Sequence, residues 1–318
     1  MFIAQAFKIK HDYWRYLLGV FIIFTFSQLG SIPLIFAAWK KIEKDGGSFI
    51  DLEDSSILMS VLESNLSFFL MLLSFVIGMI GIYFVVKYLH NQPFKELTTS
   101  RKKVDWNRIW FGFGLIFFIT LFLTILDYNS NPEHFEVQFQ LKPFIILAII
   151  AIIMIPIQTS FEEYLFRGYL MQGIGVLVKN KWAPLLITSL IFGGLHFFNP
   201  EVEKMGNIVM VYYIGTGLFL GIITLMDEGM ELALGFHAGT NLTISLLVTS
   251  DWTVFQTHSI LKDLSEPTAG FEVLTPVFIV YPILLFIMAK KYKWTNWNEK
   301  LFGKVIPPPE PIVIDDTN

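Results

Sequence analysis

Eight stretches of this chain are apolar and long enough, or nearly so, to cross a bilayer as helices. They run near 16–38, 66–89, 109–126, 143–161, 184–198, 206–226, 232–250 and 273–289. A lipid interior offers no water to backbone N–H and C=O groups, so each stretch must satisfy them internally, as a helix. The fold class expected is all-α: a polytopic transmembrane helical bundle of about eight spans. Charged residues make up only 16% of the chain, against about 25% in soluble domains. The first stretch is too long for the apolar core of a signal peptide and reads as an anchored span. No breaker precedes Gly168, so the fourth helix is expected to continue to about Leu170. The fifth is the shortest and contains Gly193-Gly194.

Lysine and arginine then orient the bundle. With the N-terminus cytoplasmic, 17 of them fall on the side of both termini and 6 on the other. Both termini inside requires an even number of spans, which eight satisfies. The acidic loop 43–63 falls outside. Four regions follow: spans without motif over 1–142, a core over 143–250, the last loop and span over 251–304, and a tail over 305–318 expected to be disordered. The chain is expected to be a multi-pass integral protein, in the plasma (inner) membrane.

Several function classes drop out. With no cysteine there is no disulfide, thiolate metal site or cysteine nucleophile. A net charge of −4 gives no electrostatic case for a nucleic-acid partner. No GxxxxGK[ST] loop occurs. Gly217 and Gly221 are spaced for close helix packing rather than for a nucleotide. Arg101, Lys102 and Lys103 are read as topology determinants that also face anionic lipid.

What remains is a short set of ionisable and polar residues inside apolar sequence, where each is costly enough to mark a site. Glu162 and Glu163 lie toward the inner end of the fourth stretch, His196 in the fifth, and His237 and Asn241 in the seventh. Glu163 and Arg167 are four apart and share a helix face, as do His237 and Asn241. Glu162 is turned about 100° from Glu163. A poorly hydrated carboxylate suits a general base that takes a proton from water. An amide and an imidazole one turn apart suit an oxyanion. Together they can hydrolyse a peptide bond. The plainer alternatives are an interfacial ion pair at Glu163 and Arg167, a packing histidine at His196, and interhelical polar contacts at His237 and Asn241.

The three motifs are EExxxR at Glu162-Glu163-Tyr164-Leu165-Phe166-Arg167, FxxxH at Phe192-Gly193-Gly194-Leu195-His196, and HxxxN at His237-Ala238-Gly239-Thr240-Asn241. In this order they resemble the CPBP family of intramembrane proteases, which includes the type II CAAX prenyl endopeptidases and the Abi proteins linked to bacteriocin immunity. The resemblance covers roughly 144–250. It implies that Glu162 activates water with help from His196, that His237 and Asn241 hold the oxyanion, and that Glu163 and Arg167 support them. It also implies a membrane-embedded or lipidated peptide as partner and no cofactor. Two alternatives stay open. One is a zinc protease with Glu162, His196 and His237 as ligands, a permissible His₂Glu set. The other is a non-enzymatic immunity or scaffold protein.

Overall fold

The computed structural model describes residues 1–49, 60–267 and 270–307. The middle of the acidic 43–63 loop and nearly all of the expected disordered tail lie outside these. Eight principal helices follow in order: α1 Tyr13–Lys44, α2 Ser64–Leu89, α3 Trp106–Ser130, α4 Leu141–Val178, α5 Trp182–Gly194, α6 Val209–Asp227, α7 Glu231–Leu247 and α8 Val273–Tyr292. Among the described residues, six are long and apolar enough to cross a membrane, and α5 and α7 are the shorter two. The polytopic all-α bundle is as the sequence implies.

Two boundaries differ from the sequence reading. Helix α4 runs past Leu170 to Val178 and ends where Lys179 turns left-handed, at φ 55°. Helix α5 stops at Gly194, so His196 sits beyond its end. At 13 residues α5 rises only about 20 Å, short of the ~30 Å hydrocarbon layer. The Gly193-Gly194 pair, with Asn199-Pro200 close behind, lets the backbone leave the helix there.

Connections between helices sort into two layers. In one, the N-terminal segment meets the α2–α3 connection through Lys10 N–H to the His90 carbonyl (3.2 Å). That connection meets the α6–α7 turn through Ser100 N–H to Glu228 (3.0 Å), and the α4–α5 turn bridges Lys304 at Asn180. In the other layer a small sheet of order β1-β3-β2 joins the α3–α4 connection (Phe135–Val137) to the segment after α7 (Val248–Thr249 and Leu261–Asp263). Glu63 meets His258 there (2.9 Å), and Glu201 accepts from the Val254 N–H (2.9 Å). Each helix therefore starts in one layer and ends in the other, the short ones included.

The first layer holds an ionic clasp. Arg101 pairs with Asp227 (2.7 Å) and Glu231 (2.9 Å), and Arg108 pairs with Asp227 and with Asp105 (3.0 Å). Both acidic partners of Arg101 are buried. Arg101 thus does more than mark topology: it ties the α2–α3 connection to the α6–α7 turn. His90 is buried nearby, between the Lys10 carbonyl (2.7 Å) and the Tyr169 hydroxyl (2.8 Å), and burial pushes its pKa down.

Glycines decide how closely the helices approach. A Cβ on Gly235 of α7 would meet the Ile109 carbonyl oxygen of α3 at 1.9 Å, and one on Gly239 would meet that of Phe113 at 2.8 Å. Gly217 lies against the Ser189 backbone and Gly221 against Leu185, so their spacing does serve close packing of α5 and α6. Helix α4 lies between α2 and α7, which brings the Glu162 and His237 segments together.

The absence of native cysteine makes the layer assignment easy to test. Single cysteines at Lys103 and Asn298 should react with a thiol reagent only from the cytoplasmic side, and one at Glu133 only from outside. Reaction of Lys103→Cys and Glu133→Cys from the same side would contradict the two-layer arrangement.

Candidate active site

The site is built across α4 and α7, which pack side by side and run in opposite directions between the two layers. Pro156 lies inside α4, where it removes one backbone hydrogen bond ahead of the polar residues. The regular helix ends at Glu163, and Tyr164–Leu170 is a π-helical turn. Such turns widen the backbone and recur at functional sites. Here the turn carries Arg167.

Glu163 is the hub. Its Oε1 accepts from Arg167 Nη1 (2.9 Å) and from His237 Nδ1 (2.8 Å). The other guanidinium amino group of Arg167 donates to the Gly217 carbonyl of α6 (3.1 Å), and the guanidinium lies 4.4 Å from the Phe192 ring centre. The side chains of Glu163 and Arg167 are 0% exposed, so each charge depends on the other. The ion pair expected from the four-residue spacing is present, and it is closed off from the protein surface.

Glu162 faces elsewhere, as the helical repeat requires. Its Oε2 lies 3.4 Å from His237 Nε2, and its side chain is 13% exposed. Of the two carboxylates it alone has exposed surface. His237 therefore has one ring nitrogen on each carboxylate. Phe192 stands between the histidines, its ring 5.0 Å from His196 and 6.0 Å from His237. The Nδ1 of His196 donates to the Phe192 carbonyl (2.8 Å), and its ring stacks on Tyr213 at 4.2 Å. This leaves Nε2 of His196 free of that bond. Asn241, one turn beyond His237, donates from Nδ2 to Oε1 of Gln158 (3.1 Å).

Glu162, Glu163, Arg167 and His237 thus form one polar network. His196 reaches it only through the Phe192 ring, with no hydrogen bond to either glutamate. Asn241 stands outside that network, paired with Gln158, which the sequence reading passed over. The available signal was a glutamine four residues before Glu162 in an otherwise apolar helix. Tyr213 gave no signal, because an aromatic in a span is ordinary, and the spacing of Gly217 pointed to packing alone and not to its carbonyl. Among the described residues, no three His, Cys, Asp or Glu side chains converge as a metal-binding group.

A family model described as "Type II CAAX prenyl endopeptidase Rce1-like" matches residues 141–243, a stretch that contains Glu162, Glu163, Arg167, His196, His237 and Asn241. The chain is also 30% identical over 243 residues to "Uncharacterized protein YyaK" of Bacillus subtilis (strain 168), a match covering 76% of this chain and 80% of that protein. No solved structure matches the chain. Polytopic, helical, and carrying the matched stretch across its α4–α7 polar network, the chain belongs to the type II CAAX prenyl endopeptidase Rce1-like family.

Proposed function

We propose that the protein is an intramembrane endopeptidase of the glutamate type, acting on a membrane-embedded or lipidated peptide, with Glu162 as general base. The observation that carries this reading is the double commitment of His237: Nδ1 bonded to the buried Glu163, Nε2 turned to the more accessible Glu162. Protonated, the ring donates on both sides.

The chemistry follows from these positions. A water beside Glu162 gives its proton to the carboxylate while its oxygen attacks the peptide carbonyl carbon. The negative charge that develops on the carbonyl oxygen is met by the Nε2–H of His237 and an N–H of Asn241. His196, held by its own Nδ1 bond, presents Nε2 to position the water. Collapse of the intermediate breaks the C–N bond, and Glu162 returns the proton to the leaving nitrogen. The products are a carboxylate and an amine. Family membership supports a lipidated C-terminal peptide as the substrate to try first.

Two comparisons test this. New peptide termini in membranes from cells with wild-type protein should vanish in cells with Glu162→Gln. Cleavage of an internally quenched, farnesylated CAAX peptide by reconstituted protein should vanish too. Alanine at His196, His237 or Asn241 should each lower cleavage by at least about 10²-fold, the scale of losing an oxyanion donor or acid–base group. Undiminished cleavage by purified Glu162→Gln would favour the scaffold reading instead.

Stability should separate the two glutamates. Arg167→Met strands Glu163, and removing one partner of a buried pair typically costs about 3–5 kcal/mol. Its thermal unfolding midpoint in detergent should fall clearly, whereas that of Glu162→Gln should stay near wild type. Equal midpoints for Arg167→Met and wild type would mean that the buried pair does not hold the bundle.

Activity is expected without zinc. A zinc ion would take Glu162 as a ligand and leave the water without a base, since Glu163 is held by Arg167 and His237. It would also leave Asn241 idle, an amide being a poor zinc ligand. Elemental analysis of active, detergent-purified protein, followed by exhaustive chelation, checks this. Stoichiometric zinc whose removal abolishes cleavage and whose return restores it would reverse the assignment.

A further inference from the structure

Helices α4 and α7 meet at two polar rungs. Because they run antiparallel, a residue earlier on α4 pairs with one later on α7: Glu163 with His237, and Gln158 with Asn241. The first rung fixes an imidazole. We propose that the second fixes an amide, and that Gln158 is a positioning residue that holds Asn241 with its remaining N–H toward the reacting carbonyl. The inference rests on the intramembrane-protease reading above and deepens it.

The physical need is specific to asparagine. Its terminal torsion is broad and roughly two-fold, so a free side-chain amide turns its C=O as readily as its NH₂ toward a neighbour. Facing an oxyanion, the two ends have opposite effects. One stabilises the developing charge and the other repels it. An acceptor on the far side removes the ambiguity, because it claims one N–H and leaves the second free beside it.

Gln158 supplies that acceptor. Its Oε1 is 3.1 Å from Asn241 Nδ2, and Gln158 is only 3% exposed, so the acceptor end of the bond is shielded. Gln158 lies four residues before Glu162, on the same face of α4. The contact therefore ties the oxyanion side of the site to the helix that carries the base. Asn241 is further fixed from its own backbone, whose carbonyl accepts from the Ser245 hydroxyl (2.6 Å).

A double-mutant cycle on the full chain in proteoliposomes tests this, with the internally quenched farnesylated CAAX peptide as probe. Gln158→Met keeps the length of the side chain and removes its acceptor. It should lower kcat by about 10-fold, less than loss of the donor itself, with KM within about two-fold of wild type. In an Asn241→Ala background Gln158→Met should cost nothing further, because residues acting through one contact are not additive. Additive losses, or a change confined to KM, would overturn the role of Gln158 while leaving Asn241 in place. Full cleavage by Asn241→Ala would remove the oxyanion reading of Asn241 and this proposal with it. A second measurement needs no substrate. In protein labelled with ¹⁵N-asparagine, the Asn241 side-chain amide signal, identified by its loss in Asn241→Ala, should shift in Gln158→Met. An unchanged signal would show that the contact is not made, and would overturn the proposal whatever the activity.

Discussion

A guanidinium sealed from water needs partners of its own, and Arg167 finds them in Glu163, the Gly217 carbonyl and the face of Phe192, while its Nε is left without one. These partners come from α4, α6 and α5, so satisfying one buried charge brings three helices into register. Glu163 then uses the same oxygen to hold His237 of α7. The geometry of the site and the packing of four helices are in this sense one problem. Buried ion pairs often contribute little net stability, and apolar side chains of the same volume often pack as stably. What the charges contribute is a fixed orientation for the imidazole.

The bundle around this network is arranged to keep it in place. In one connecting layer, Arg101 and Arg108 converge on Asp227 at the end of α6, and Arg101 also reaches Glu231 at the start of α7. The turn between the helices bearing Gly217 and His237 is therefore clamped. Glycines on α3 and α7 let those helices approach until side chains would collide with backbone. Helix α5 ends early, which places His196 at a break in the secondary structure rather than on a helical face. A ring held by a backbone carbonyl and a stacked tyrosine is oriented there without the helix.

The amino-acid sequence by itself determined the membrane solvent, the helical class, the uneven distribution of Lys and Arg, and the six polar residues to watch. Each follows from local quantities: span length, charge count, and the four-residue spacing that put Glu163 with Arg167 and separated Glu162 from Glu163. Even the close-packing role of Gly217 and Gly221 could be read from their spacing. The tertiary structure decided what spacing along one helix cannot encode. Gln158 became a partner of Asn241 because α4 and α7 run antiparallel in contact, and Gly217 mattered for its carbonyl, which every residue has. Arg101 was a topology marker until the fold brought Asp227 and Glu231 beside it. The early end of α5 and the extension of α4 to Val178 also depended on surroundings, because an apolar stretch sets where a helix can lie and its neighbours set where it stops. Contacts between distant segments have no period in the sequence, and most of the geometry of this site is made of them.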